Sequence, residues 1–181
     1  MEQHEAITLI RDAVTSAGGT WADLGAGSGT FTRALASLVG PEGSVYAVDR
    51  DANALRSLAT ARLDPHAAAI HTVVGDFTDT IQLPRLDGML FANALHFVRY
   101  SDQPRVLRHV ASQLEDGAPL IIVEYERRDA NPYVPYPISF GALGTLAHEC
   151  GLAAPRLLAT KPSRFRGSIY SAVITAGSRA A

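Results

Sequence analysis

The chain has 181 residues, 47% of them hydrophobic, with a formal net charge of −2 and a pI near 6.3. That length is enough to bury one substantial core and is short for two ordinary domains. The charge balance gives no overall attraction to nucleic acid or to an anionic membrane, both of which select clustered positive charge, so a small molecule is the default partner.

The first twenty residues mix acids with single apolar positions, unlike a signal peptide or a spanning helix, and a cytoplasmic location is expected. Ile7, Ile10 and Val14 fall at i, i+3 and i+7, which predicts an amphipathic helix over 2–17 closed by Gly18-Gly19. Residues 20–24 read as a strand. Phe31, Leu35, Leu38 and Val39 then stripe a helix that Gly40-Pro41 ends, and residues 44–48 follow as a β run. The pattern repeats with a helix at 51–63, a strand at 70–74 and a strand at 89–92. Ser101 or Asp102 is placed to cap a helix carrying Val106, Leu107, Val110, Ala111 and Leu114 on one face, ahead of a strand at 119–124. Five strands in βα alternation imply a parallel sheet covered on both sides.

The tail breaks this rhythm. After a helix at 138–150, two β-like runs at 156–160 and 168–175 are separated only by 161–167, too short for a crossover, so they are expected to be antiparallel neighbours. One domain results, with an N-terminal helix (1–19), a cofactor-binding core (20–126) and an acceptor-side loop, helix and hairpin (127–181). Cys150, the only cysteine, is expected to be a small buried filler at a helix end. Lys161 is the only lysine.

Between the first strand and its helix lies Trp21-Ala-Asp-Leu-Gly-Ala-Gly-Ser-Gly-Thr30. Gly25, Gly27 and Gly29 let the backbone turn sharply and approach a ligand at a helix N-terminus. Asp49, at the end of the second strand, is placed to accept hydrogen bonds from ribose hydroxyls. Asp23 separates the possible cofactors. A pyrophosphate over the glycines would meet that carboxylate at a cost of about 4 kcal/mol per charge at 4 Å and an effective dielectric of 20. An ammonium and a sulfonium would instead be attracted, directly or through a water. The spacing agrees, since the sixth position from Gly25 is Thr30 where a dinucleotide fingerprint requires Gly or Ala. Asp23 is also able to order its own turn by bonding to backbone N–H groups.

Ala22-Asp-Leu-Gly-Ala-Gly-Ser-Gly29 together with Val45-Tyr-Ala-Val-Asp49 resembles the class I S-adenosylmethionine-dependent methyltransferases, along most of the chain. The resemblance implies a Rossmann-like, doubly wound, mostly parallel seven-stranded sheet with a terminal antiparallel pair and helices on both faces. It implies S-adenosylmethionine as cofactor, with S-adenosylhomocysteine as product. Gly25 and Gly27 would lie under the methionine part, with Ala26 and Arg50 beside the cofactor, and Asp49 would hold the ribose. Asp76 would accept from the adenine amine, Phe77 would flank the ring, and the Asn93 carbonyl would meet the ammonium. Asp76 could instead cap a helix ahead of Thr78, and the Asn93 side chain could instead satisfy a strand end.

Methyl transfer from a sulfonium chiefly needs alignment, and a base helps only some acceptors. His96, just beyond the fourth strand, is the candidate base; in such proteins a histidine there also packs beside the cofactor. Glu124, Tyr133 and Tyr136 are candidates for contacting the acceptor, the tyrosines within a proline-stiffened segment at 125–137 that could form a lid or simply pack on the domain. Arg127 and Arg128 bind an acidic substrate or face solvent. Arg164 and Arg166, in the last hairpin's connection, are expected to lie away from the chemistry. Asn93-Ala-Leu-His96 resembles the small-molecule branches of the family and lacks the Asp/Asn-Pro-Pro-Tyr/Phe signature for amine methylation. With only one helix before the first strand, the pocket is open or completed by a second copy or a protein partner. Two alternatives remain at this stage: a non-catalytic S-adenosylmethionine or S-adenosylhomocysteine binder, and an NAD-linked oxidoreductase, which Asp23, Thr30 and the absence of Tyr-x-x-x-Lys oppose.

Overall fold

The structure, a computed structural model, describes residues 1–59, 64–164 and 167–177. In chain order the elements are α1 (Gln3–Ile10), β1 (Gly19–Leu24), α2 (Thr30–Val39), β2 (Gly43–Asp49), α3 (Ala52–Ala59), β3 (Ala69–Val74), β4 (Gly88–Ala92), α4 (Gln103–Ala111), β5 (Pro119–Glu126), α5 (Phe140–Glu149), β6 (Arg156–Pro162) and β7 (Ser168–Thr175). The seven strands form one sheet in the order β3-β2-β1-β4-β5-β7-β6. β1 to β5 run parallel, β7 pairs antiparallel with β5 along its whole length, and β6 closes the edge antiparallel to β7.

Alternation along the strands sends successive side chains to opposite faces, each covered by helices. Ala22, Leu24, Met89, Phe91, Leu120 and Ile122 pack under α4 and α5, and Trp21, Val45, Leu90, Ile121 and Val123 under α1 and α2. This is the doubly wound fold expected from the sequence. Strand order reverses between β1 and β4, so their carboxyl ends frame the crevice in which open α/β sheets bind ligands.

Three local expectations are corrected. α1 ends at Ile10 and passes into a single 3₁₀ turn at Arg11–Ala13, short of residue 17, because Val14-Thr15-Ser16 are poor helix formers. Asp102 occupies the N-cap of α4 but makes no side-chain cap hydrogen bond; Gln103 instead donates to the Val98 carbonyl at 3.0 Å. β5 continues to Glu126, because β7 supplies a partner as far as Ser168, so Glu124 lies inside the strand and not at its end. The expected extension of α3 over 60–63 lies outside the described residues. Cys150 is half-buried at the C-cap of α5, and burial raises its thiol pKa. Among the described residues no helix is long and apolar enough to cross a membrane.

Candidate functional site

The glycine turn between β1 and α2 is built on three left-handed residues, Gly25, Gly27 and Gly29, with φ of 80°, 53° and 83°. At Gly25 a Cβ would stand 2.5 Å from the Ala94 Cβ, and at Gly29 it would stand 2.4 Å from Leu58 Cδ1 on α3. The missing side chains thus let the turn seat against the exit of β4 and against α3. Gly25→Ala is expected to destabilise the fold by about 1–3 kcal/mol from backbone strain alone, read as a lower denaturation midpoint in urea at unchanged slope. At Gly27 nothing lies within 4 Å of an added Cβ, so this glycine faces open space.

β2 holds the turn in place. The Gly25 and Ala26 N–H groups donate to the Val48 carbonyl at 2.9 and 3.0 Å. The Gly27 N–H donates to Asp49 Oδ2 at 2.7 Å, and the Asp51 N–H donates to Asp49 Oδ1 at 2.8 Å. A carboxylate oxygen accepts more than one hydrogen bond, so Asp49 retains capacity for two hydroxyls.

Three cavities adjoin at Asn93. The largest, about 320 Å³, opens between the glycine turn, Asp49, Asp76, Phe77 and Phe97. A second, about 240 Å³, lies on the α2 side and is bordered by Asp23, Gly27 and Phe31. A third, about 230 Å³, lies between Glu5, Tyr125, Lys161 and Arg164.

Asp23 is fully buried, with Oδ2 accepting from the Thr32 hydroxyl on α2 at 2.7 Å, so its anchor is a helix side chain and not the turn's own N–H groups. Among the described residues its Oδ1 has no partner, and neither has the buried Oδ1 of Asn93. Desolvation chiefly, with the charge of Asp49 adding and the Thr32 hydrogen bond opposing, raises the Asp23 pKa to about 7. Asn93 itself sits at φ 54°, and its N–H donates to the Val123 carbonyl at 2.8 Å. Two unpartnered acceptors at one cavity call for a ligand rich in donors.

At the other end of the largest cavity, Asp76 Oδ1 accepts from both the N–H and the hydroxyl of Thr78, at 2.9 and 2.7 Å. Partial burial raises its pKa, but those hydrogen bonds and the charge of Arg50 outweigh it and hold the carboxyl below its ordinary value. Phe77 stands edge-on to Phe91 with ring centroids 5.1 Å apart and reaches over Gly25. Arg50 is exposed at the cavity's rim.

The acceptor-side expectations are redistributed. Glu124, expected to contact the acceptor, is 0% exposed on the α4 and α5 face, where Oε1 accepts the His96 backbone N–H at 3.1 Å and Oε2 lies 2.5 Å from His96 Nδ1. The two contacts together fix the ring in one orientation. His96 is 2% exposed in the 3₁₀ turn Leu95–Phe97 and borders none of the three cavities, which argues against its expected role as base. Tyr133 is 83% exposed and also borders none of them. Tyr136 donates its N–H to the His96 carbonyl at 3.0 Å and stacks edge-on with Tyr100, so it pins the 127–137 segment to the turn after β4.

Several residues bordering the cavities were not expected. Phe97, 53% exposed, lines the largest cavity from the 3₁₀ turn Leu95–Phe97. Tyr125 faces the third cavity because strand alternation places it opposite Glu124. Arg164, expected to be remote, lines that same cavity; Arg166 lies outside the described residues. Among the described residues no group of three or more His, Cys, Asp or Glu side chains is placed to hold a metal ion.

The family model of a methyltransferase domain matches residues 22–117, which carry the glycine turn, Asp49, Asp76 and His96. No curated relative matches the chain in sequence. Solved structures match its fold. An arsenic(III) S-adenosylmethionine methyltransferase from Chlamydomonas reinhardtii is 20% identical with a TM-score of 0.70, over 90% of this chain and 64% of the algal one. This chain therefore spans a little under two thirds of that enzyme. An S-adenosylmethionine-dependent methyltransferase from Methanosarcina mazei is 17% identical with a TM-score of 0.72, covering 93% of this chain and 96% of its own. The 1,6-didemethyltoxoflavin-N1-methyltransferase of Burkholderia thailandensis, solved with S-adenosylhomocysteine, is 17% identical with a TM-score of 0.73 over 97% and 78% of the two chains.

Proposed function

The chain belongs to the class I S-adenosylmethionine-dependent methyltransferases, and from that premise we propose that it transfers the methyl group of S-adenosylmethionine to a small-molecule acceptor. The observation that carries this reading is the pair of buried, unpartnered acceptors, Asp23 Oδ1 and Asn93 Oδ1, beside one cavity at the glycine turn. An ammonium satisfies both; a pyrophosphate satisfies neither and meets the charge of Asp23. When bound, S-adenosylmethionine supplies a methyl group activated by a positive sulfonium.

The chain's own residues bind, orient and exclude water. Asp23 and Asn93 accept from the ammonium, and Gly27 leaves room for the methionine part. Asp49, already aligned by the Gly27 and Asp51 N–H groups, accepts from the ribose hydroxyls. Asp76, held by Thr78, accepts from the adenine amine, and Phe77 covers the ring. His96 acts as a support: with Glu124 it fixes the turn that carries Ala94 against Gly25 and Phe97 into the cavity. Catalysis then rests on alignment in a cavity of small-molecule size, with no base obligatory.

Asp49→Ala is expected to weaken S-adenosylhomocysteine binding by roughly 10- to 150-fold, the loss of about 1.5–3 kcal/mol in hydrogen bonds to a charged acceptor, measured by calorimetry. Unchanged affinity would remove Asp49 from the ribose. Methyl transfer itself is tested with labelled S-adenosylmethionine and a panel of small acceptors. Label transfer to an acceptor with stoichiometric S-adenosylhomocysteine release is the expected result. Tight cofactor binding without transfer to any acceptor favours the non-catalytic alternative.

A further inference from the structure

We propose that the third cavity, between α1 and the β6–β7 connection, is the acceptor subsite, and that the acceptor carries a carboxylate or phosphate group received by Arg164 and Lys161. This rests on the methyl-transfer assignment above.

The cavity adjoins the one assigned to the methionine part through Met1 and Asn93, so an acceptor seated there reaches the donor side without crossing the sheet. The two sides carry opposite charge. Asp23, Asp49 and Asp76 border the first two cavities against one cationic side chain, Arg50 at the rim, whereas Lys161 and Arg164 border the third. One carboxylate, Glu5, stands among those cations. It is already engaged: Oε1 takes the Lys161 ammonium and Oε2 takes the Glu2 N–H at 2.9 Å. Those bonds hold the Glu5 carboxyl down at about 2, so it remains ionised and neutralises one cation and not two.

Arg164 is the excess charge. Its Nη2 stands 4.0 Å from Glu5 Oε2, longer than a hydrogen bond, and its side chain is 67% exposed. A guanidinium offers five donors in a planar fork that matches carboxylate and phosphate oxygens, and Lys161 keeps two further N–H donors. Tyr125 supplies a neutral hydroxyl on the cavity's wall, since burial first and the nearby Glu124 second raise its pKa above the ordinary value. At about 230 Å³ the space falls below the roughly 300–1,000 Å³ of drug-sized pockets, which fits a compact acid or the acidic end of a longer molecule.

The test is calorimetric and needs no turnover. Benzoate, phenyl phosphate and the neutral benzamide are titrated into the wild type and Arg164→Gln, each with and without saturating S-adenosylhomocysteine. Arg164 is exposed at a loop, and a melting curve checks that the variant folds. The expected result is that at least one anion binds the wild type about tenfold or more tightly than benzamide, and that Arg164→Gln removes the preference. The preferred anion then names the group. Equal binding of the three probes, absence of saturable anion binding, or a preference that survives Arg164→Gln overturns the proposal. The affinity for S-adenosylhomocysteine separates the two levels: retained in both proteins, it leaves the methyl-transfer assignment intact whatever the anions do, and absent in the wild type it removes that assignment.

Discussion

Asp23→Asn is expected to weaken S-adenosylhomocysteine binding by roughly 10- to 150-fold at pH 8 while raising the melting temperature of the ligand-free protein. The two effects have one cause. Burial without a partner on Oδ1 raises the Asp23 pKa from 3.8 to about 7 in the folded chain. The resulting cost of folding is absent below about pH 4, where the carboxyl is protonated in both states. It grows as pH rises toward 7 and is complete above that, on the order of 4 kcal/mol. Stability of the ligand-free protein therefore falls across this window. An amide still accepts from the Thr32 hydroxyl but carries no charge to desolvate, so the variant should lose this segment of the pH dependence. It also loses the charge that draws an ammonium. Melting curves from pH 4 to 8, set beside calorimetry at pH 8, read both effects. An unchanged affinity would mean that the buried charge serves something other than the ligand.

Glu124→Ala is expected to lower stability by about 3–5 kcal/mol, the usual consequence of removing one member of a buried ionic or hydrogen-bonded pair. For a chain of this length that corresponds to a fall of about 6–20 °C in melting temperature. The backbone N–H and Nδ1 of His96 lose their partner at once, inside a core formed by α4, α5 and the sheet. Glu124→Gln keeps an acceptor for the backbone N–H and should cost less. A side chain that served only to contact the acceptor would leave the melting temperature unchanged and raise the KM alone.

The fold was legible because its signals are local and repeated. Ile7 and Ile10, the Phe31–Val39 stripe and the Val106–Val110 stripe each mark a helix, and the short gap at 161–167 forces the antiparallel pair. That Gly25, Gly27, Asp49 and Asp76 share one cavity was equally plain, since they lie at or just past strand ends that a parallel sheet brings to one edge. The third cavity was not. Whether Glu124 is buried in the sheet and Tyr125 lines the third cavity depends on β5 continuing to Glu126, which pairing with β7, more than forty residues away, decides. Arg164 seemed remote because hairpin connections usually lie at an edge, yet it lines the third cavity beside Glu5 of α1, which also meets Lys161 at the end of β6. His96 resembled a base until the register of β5 placed Glu124 beneath it. These are long-range pairings, and local periodicity carries no record of them.

On the proposed function, Asp23 and Asn93 at the glycine turn receive the ammonium of an adenosyl ligand. Titration calorimetry of the wild type at pH 8 with S-adenosylmethionine, S-adenosylhomocysteine and NAD tests it most directly. Saturable one-to-one binding of the first two and no binding of NAD are expected. Binding of NAD with no response to either adenosyl ligand would contradict it.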